Sequence, residues 1–159
     1  RIGEGTSVRL VLRRGSIAAS TDAQTAVNVE NGHFERILVV DDDHDVRALM
    51  TSFLSEMGYV VHEADHGDAA LAVQRAVNPQ LMIIDFAMPG SNGAEVVKAA
   101  RAVQPSLPIL FVSGYADSAA LEAAMGSAPF LRKPFRPAEL AHAVRSAIEQ
   151  SPSHAGIPK

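Results

Sequence analysis

The feature that most constrains the fold is a regular alternation between short apolar runs and longer segments with helical spacing. Four of the runs are rich in Val, Ile and Leu and end at turn residues; they cover residues 36–40, 59–64, 81–85 and 107–113. A shorter fifth run covers residues 130–135. Such short aliphatic runs are typical of parallel strands that are buried on both faces.

Each run is followed by a segment whose apolar residues recur at helical spacing. These segments cover residues 45–58, 67–79, 93–105, 118–127 and 136–150. The first stops at Gly58, and glycine is favoured just beyond the C-terminus of a helix. Five strands that alternate with five helices predict an α/β fold: a doubly wound, five-stranded parallel sheet with helices on both faces.

Composition narrows the function classes. With 14 Lys and Arg against 18 Asp and Glu, the net charge of -4 lacks the basic footprint of a nucleic-acid binder, so no nucleic-acid partner is predicted. The chain has no cysteine, which excludes disulfides and thiolate metal sites and fits a reducing, cytoplasmic location. No apolar run approaches the ~18 residues of a membrane-spanning helix, so no membrane contact is predicted for this segment.

The alternation is confined to residues 35–150, which we predict to be one domain. Residues 15–34 are mostly small and polar and are predicted to be a linker. Residues 1–14 contain one alternating stretch, typical of a half-buried strand, and residues 151–159 are a predicted tail. The sequence starts at Arg1 rather than Met, so we expect it to be part of a longer chain.

Polar side chains stand at the ends of four predicted strands. They are Asp41 and Asp42 after the first strand, Asp85 at the end of the third, Ser113 at the end of the fourth and Lys133 after the fifth. The carboxyl ends of parallel strands share one edge of the sheet, where ligands bind in open α/β folds. Three carboxylates, a hydroxyl and an ammonium suit Mg²⁺ together with a phosphoryl group. Without the cation, at least one carboxyl pKa should be raised.

Four motifs carry a family resemblance. In order along the chain they read LVVDDD, LMIIDFAMPGSNG, FVSGYA and FLRKPF. Together they resemble the response-regulator receiver domain of two-component signalling, over about residues 36–150. The resemblance implies a flavodoxin-like receiver fold, and a domain that accepts a phosphoryl group from a phosphohistidine and then switches conformation.

The resemblance also assigns roles to the acidic residues. It implies that Asp85 is the phosphoacceptor, and that Asp42 and Asp85 bind Mg²⁺ together with the backbone carbonyl of Ala87. Asp41 would hold a metal-bound water. Mg²⁺ is accordingly the expected cofactor.

Further roles follow for three residues nearer the C-terminus. The resemblance implies that Lys133 pairs with phosphoryl oxygens and that Ser113 donates a hydrogen bond to the phosphoryl group. Phe130 falls at the position of the switch aromatic. The resemblance also implies a cis peptide bond between Lys133 and Pro134, and a turn there would point the lysine into the crevice.

A second, shorter resemblance concerns residues 3–14, which are similar to the closing stretch of the histidine-kinase ATP-binding domain, although Arg13 stands where that family usually has Pro. Together the two resemblances indicate the C-terminal receiver of a hybrid sensor histidine kinase. The expected partners are a histidine kinase phosphodonor domain, in the same parent chain or another, and a downstream histidine phosphotransfer protein. The parent would be a kinase; this segment would only assist its own phosphorylation and dephosphorylation.

Two other functions remain open at this point. A receiver fold can serve as a phosphorylation-independent interaction module. A phosphohydrolase with an aspartate nucleophile is less favoured, because such enzymes need a second carboxylate where this chain has Ala87. Three further residues have structural interpretations: Asp43 caps the next helix, His44 is an exposed residue at its start, and His142 lies on a helix face.

Overall fold

The computed structural model describes residues 34–88, 91–114 and 128–150. In chain order its elements are β1 (Arg36–Val40), α1 (His44–Glu56), β2 (Val60–Ala64), α2 (Gly67–Val77), β3 (Leu81–Asp85), β4 (Ala87–Met88), β5 (Ser91–Asn92), α3 (Gly93–Val103), β6 (Ile109–Ser113), β7 (Phe130–Arg132) and α4 (Pro137–Glu149). Five of the strands form one sheet in the order β2-β1-β3-β6-β7, and every pairing in it is parallel. The predicted doubly wound parallel fold is confirmed.

The described ranges contain four of the five predicted helices. The remaining one, predicted over residues 118–127, lies outside the described residues, as do the N-terminal strand, the tail and all but the last residue of the predicted linker. None of the helices in the described ranges is long and apolar enough to cross a membrane.

Helices cover both faces of the sheet because alternate residues of each central strand point to opposite sides. On one face, Ile37 and Val39 of β1 pack with Met50 of α1 and Leu140 of α4. On the other face, strand residues such as Leu38 pack with residues of α2 and α3: Ala70, Val96, Val97 and Ala100. Strands β1, β3 and β6 are therefore enclosed, as their aliphatic sequences predicted.

Strand β2 departs from that prediction. Its residues were expected to be buried on both faces, but Val60 and Glu63 are exposed and only Ala64 is buried. The reason is position: β2 is an edge strand that pairs with β1 alone in this sheet. An edge strand has less covering structure, so the polar residues in its sequence are tolerated.

Helix ends follow local rules. Asp43 caps α1 by accepting hydrogen bonds from the backbone N–H groups of Asp45 and Val46. After α1 the chain turns at Gly58, whose φ of 89° favours glycine, as the sequence predicted. Helix α4 has Pro137 at its first position, and the Glu139 carboxylate accepts a hydrogen bond from the backbone N–H of Arg136.

Candidate functional site

The candidate site lies where β1 and β3 end. These two strands are neighbours at the centre of the sheet, although α1, β2 and α2 separate them in the chain, so a crevice opens beyond their carboxyl ends. Asp41 directly follows β1 and is fully buried. Asp85 is the last residue of β3 and is 8% exposed. The fold thus brings together two carboxylates that are far apart in the sequence.

Lys133 connects these carboxylates. Its Nζ lies 2.7 Å from Asp41 Oδ2 and 2.7 Å from Asp85 Oδ2, and it donates a hydrogen bond to each. Its backbone N–H donates to the carbonyl of Ser113 at 2.9 Å, which joins the end of β7 to β6. The Lys133–Pro134 peptide bond is cis, as predicted. The ammonium is therefore held between the two strand ends by two charge-assisted hydrogen bonds.

Burial and charge alter the protonation of this pair. Burial raises the pKa of Asp41 above its usual value, and this outweighs the opposing influence of the Lys133 ammonium. Burial acts to lower the pKa of Lys133, but its hydrogen bonds to Asp41 and Asp85 raise it overall. The expectation that at least one carboxyl pKa would be raised is confirmed at Asp41, while Lys133 stays cationic at neutral pH.

A third carboxylate completes an acidic cluster. Asp42 is exposed, and one carboxylate oxygen from each of Asp41, Asp42 and Asp85 lies within 4.8 Å of the others. Carboxylate oxygens are the donors that Mg²⁺ prefers, and only two of these three carboxylates pair with the Lys133 ammonium. The residues therefore fit a divalent cation in both donor type and charge.

The loop after Asp85 is held tightly. The backbone N–H of Ala87 donates to Asp85 Oδ1 at 2.9 Å, whereas Lys133 binds the other oxygen, so both carboxylate oxygens are held. Gly93 lies so close that a Cβ added to it would stand 2.6 Å from the Asp85 carbonyl oxygen. A glycine is thus required at this contact. The role of the Ala87 carbonyl as a metal ligand stays a prediction.

The two predicted switch residues lie on neighbouring strands, β6 and β7. Ser113 ends β6 and is fully buried. Phe130 begins β7, is partly buried, and pairs in register with Phe111 of β6. The ring of Phe111 in turn meets the ring of Phe86, the residue after Asp85, edge to face with centroids 6.1 Å apart. Their participation in a switch stays a prediction.

The structural interpretations of Asp43, His44 and His142 are confirmed. Asp43 caps α1, and the hydrogen bonds that it accepts from Val46 and Asp45 hold its pKa below the usual value. His44 is the exposed first residue of α1. His142 is exposed on α4. None of the three belongs to the acidic cluster.

Sequence reasoning missed two residues that shape the site. Arg47 of α1 donates a hydrogen bond to the backbone carbonyl of Asp41. The sequence offered one indication of a special role, because Arg47 is the only Lys or Arg between Arg36 and Arg75. Gly93 supports the backbone of Asp85, but a glycine beside an asparagine in the sequence reads simply as a turn.

Comparison with known families decides the identity. The family described as "Response regulator receiver domain" matches residues 37–145, more than half of the chain. The chain belongs to this family. Receiver domains are the phosphoacceptor domains of two-component signalling, and the predicted function at this level is confirmed.

Curated relatives agree. The DNA-binding response regulator MtrA of Mycobacterium tuberculosis is 32% identical over 119 residues, which is 74% of this chain and 52% of that protein. The transcriptional regulatory protein ResD of Bacillus subtilis is 32% identical over 120 residues, covering 73% of this chain and 49% of ResD. The receiver domain thus spans about half the length of these relatives.

Solved structures confirm the fold. The receiver domain of NtrX from Brucella abortus superposes with a TM-score of 0.68 at 32% identity, covering 72% of this chain and 99% of that one. The chemotaxis protein CheY4 of Vibrio cholerae gives a TM-score of 0.68 at 29% identity, with coverages of 72% and 98%.

Proposed function

We propose that this receiver domain takes a phosphoryl group from a phosphohistidine onto Asp85. The observation that carries the proposal is the contact of Lys133 Nζ with both Asp41 and Asp85 at 2.7 Å, within a cluster of three carboxylates. An Oδ atom of Asp85 attacks the phosphorus and forms the new P–O bond. The P–N bond to the imidazole breaks, and its electron pair stays on the imidazole nitrogen.

The chain's own groups prepare this step. The Ala87 N–H holds one oxygen of Asp85 and Lys133 holds the other, so the nucleophile has a fixed orientation before the donor arrives. The Lys133 ammonium is already at the crevice and can donate to an oxygen of the transferred group as negative charge builds up there.

Mg²⁺ would be held by Asp42, Asp85 and the carbonyl of Ala87, with Asp41 on a metal-bound water. When bound, the ion neutralises charge on the carboxylates and on the phosphoryl oxygens. The three carboxylate oxygens within 4.8 Å of one another support this assignment.

We also propose that Ser113 and Phe130 report phosphorylation to the rest of the domain. Ser113 lies at the end of β6, and the backbone of Lys133 is bonded to its carbonyl. A serine hydroxyl drawn to a new phosphoryl group would change the packing around Phe111, to which Phe130 is paired. In this way, phosphorylation at the acidic cluster would change the conformation of β7.

For the parent protein we propose a hybrid histidine kinase, with residues 1–14 closing its ATP-binding domain and 15–34 linking that domain to the receiver. The phosphodonor would be the kinase's histidine domain, the acceptor a histidine phosphotransfer protein, and the location the cytoplasm. The resemblance of residues 3–14 supports this arrangement. The named relatives favour the second candidate, a response regulator with a DNA-binding output. The coding sequence before Arg1 distinguishes the two: an ATP-binding domain there supports the hybrid kinase.

Intact-mass analysis tests the chemistry. The domain is incubated with acetyl phosphate, a small phosphodonor, in the presence and absence of MgCl₂. We expect one added phosphoryl group that requires Mg²⁺ and is absent from Asp85→Asn. Asp68→Asn, which changes an exposed aspartate on α2, is the matched control and should be modified like the native domain. Equal modification of Asp85→Asn would show that another residue is the acceptor.

A further inference from the structure

Arg47 belongs to the start of α1, but its side chain reaches back to the ends of two strands. Its Nη1 donates to the carbonyl of Asp41 at 2.6 Å, and its Nε donates to Glu63 Oε2 of β2 at 3.1 Å. Only 12% of the side chain is exposed. A guanidinium that could be fully hydrated is instead held by two oxygen acceptors in a fixed fork geometry.

The bond to the Asp41 carbonyl matters because a peptide unit is planar. Fixing that carbonyl fixes the plane that Asp41 shares with Asp42, and with it the backbone dihedrals on either side. The next peptide unit is fixed as well, since the backbone N–H of Asp43 donates to Asp41 Oδ1 at 3.0 Å. Asp42 therefore lies between two peptide units that are each held by a hydrogen bond.

Asp42 itself has little to hold it. Its side chain is exposed, and its carboxylate accepts no hydrogen bond from the described residues. The direction of this carboxylate thus depends on the backbone of the turn between β1 and α1. Arg47 supplies one of the hydrogen bonds that hold that turn.

We infer that Arg47 is a positioning residue, which holds the β1–α1 turn so that Asp42 presents its carboxylate to the divalent cation. Glu63 in turn orients the guanidinium of Arg47. The inference rests on the proposed function, because there Asp42 is a direct ligand of Mg²⁺. It adds a residue that does not touch the ion but determines how well the ligand is placed.

The direction of the change in Mg²⁺ affinity when Arg47 is replaced distinguishes this positioning role from a purely electrostatic effect. Arg47 is a positive charge near three carboxylates, so removing its charge alone should strengthen cation binding. Loss of the turn's geometry should weaken it. A purely structural role would lower the stability of the domain but leave the Mg²⁺ affinity of the folded protein unchanged or improved.

The experiment is an NMR titration of backbone amides with MgCl₂, under conditions in which each variant is folded. We expect Arg47→Ala to bind Mg²⁺ about tenfold more weakly, at the lower end of the effect of residues that orient metal ligands. Arg47→Lys keeps the charge but lacks the fork, and should bind with intermediate affinity. Arg75→Ala removes an equal charge from an exposed position on α2 and should leave the affinity unchanged.

Equal or tighter Mg²⁺ binding by Arg47→Ala would overturn the inference while leaving the proposed function standing. If Arg47→Ala does not fold, Arg47→Lys decides, since native affinity in that variant would show that the fork is unnecessary. Absence of Mg²⁺ binding by the native domain itself would overturn the proposed metal site and this inference with it.

Discussion

The two ends of the sheet differ in how their buried charges are paired. At the amino end, Glu35 precedes β1 with a side chain that is 6% exposed, and Arg145 of α4 lies 3.7 Å from it. At the carboxyl end, the Lys133 ammonium pairs with both Asp41 and Asp85, and the carboxylate of Asp42 lies close to these two carboxylates. At the amino end one buried carboxylate has a guanidinium partner, which also lies 4.0 Å from the exposed Glu149. At the carboxyl end two buried carboxylates share one ammonium, and a third, exposed carboxylate lies close to them.

The difference shows which end is built for stability and which for chemistry. A matched pair has no unbalanced charge when it is buried. An excess of buried carboxylates costs stability unless a cation or a proton offsets it. The pKa of Asp41 is raised chiefly by its burial, and the Asp85 carboxylate adds to the rise. An excess of negative charge at the carboxyl ends of the strands therefore indicates a binding site.

The largest expected effect comes from removing the shared cation. Lys133→Met leaves the fully buried Asp41 without its ammonium, which should lower the free energy of unfolding by about 3 kcal/mol in Mg²⁺-free buffer. Urea unfolding at pH 7 measures this. Adding MgCl₂ should restore part of the loss.

The matched variant at the other end is Arg145→Met, which leaves Glu35 without its guanidinium partner. It should also be destabilised, but MgCl₂ should not restore it, because Glu35 is not part of the acidic cluster. If MgCl₂ restored the free energy of unfolding of both variants equally, the recovery would be a general salt effect, and the contrast between the two ends would be wrong.

The carboxyl end should also be the more sensitive to backbone crowding. Gly93→Ala places a Cβ only 2.6 Å from the Asp85 carbonyl oxygen, so the strand end must shift. We expect a loss of about 2 kcal/mol in the free energy of unfolding, and slower phosphorylation by acetyl phosphate. Circular dichroism during urea unfolding and intact mass are the two readouts.

Gly114→Ala is the control for that variant. Gly114 follows β6 at the same end of the sheet, but a Cβ added there meets no atom within 4 Å. It should be close to native in both measurements. Similar losses in the two alanine variants would show that crowding at Asp85 is not the cause.

Exchanging a carboxylate for an amide should have opposite signs at the two ends. Glu35→Gln breaks a matched pair and should lower the free energy of unfolding by about 1.5 kcal/mol. Asp42→Asn removes one of three clustered charges and should raise it by about 0.5 kcal/mol in Mg²⁺-free buffer. Thermal unfolding at low ionic strength checks both signs, and a loss in both variants would contradict the comparison.

The smallest effect concerns Tyr59, whose pKa burial raises above its usual value of about 10; Arg145 opposes the rise, while Glu35 and Glu149 add to it. The folded domain therefore keeps the phenol proton at a pH where the unfolded chain loses it. Stability should fall as the pH rises above about 10, and less steeply in Tyr59→Phe. Absorbance at alkaline pH should also show a lower Tyr59 pKa in Glu35→Gln.

The sequence by itself determined the fold class and the membership of the site. Aliphatic runs in β1, β3 and β6 predict buried parallel strands, because only a strand covered on both faces is apolar on both. Since parallel strands end at one edge, Asp41, Asp85 and Lys133 could be assigned to one crevice before any coordinates. The cap at Asp43 and the turn at Gly58 could also be predicted from the sequence, because each depends on residues that are close together in the chain.

Tertiary structure alone decided three other features. The exposure of β2 depends on its being an edge strand, and strand order cannot be read from a run of apolar residues. The close contact of Gly93 with Asp85 depends on how α3 packs against the end of β3. The bonds of Arg47 to the Asp41 carbonyl and to Glu63 depend on where α1 lies across β1 and β2. Each is a contact between elements, whose distance is fixed by packing rather than by residue type or spacing.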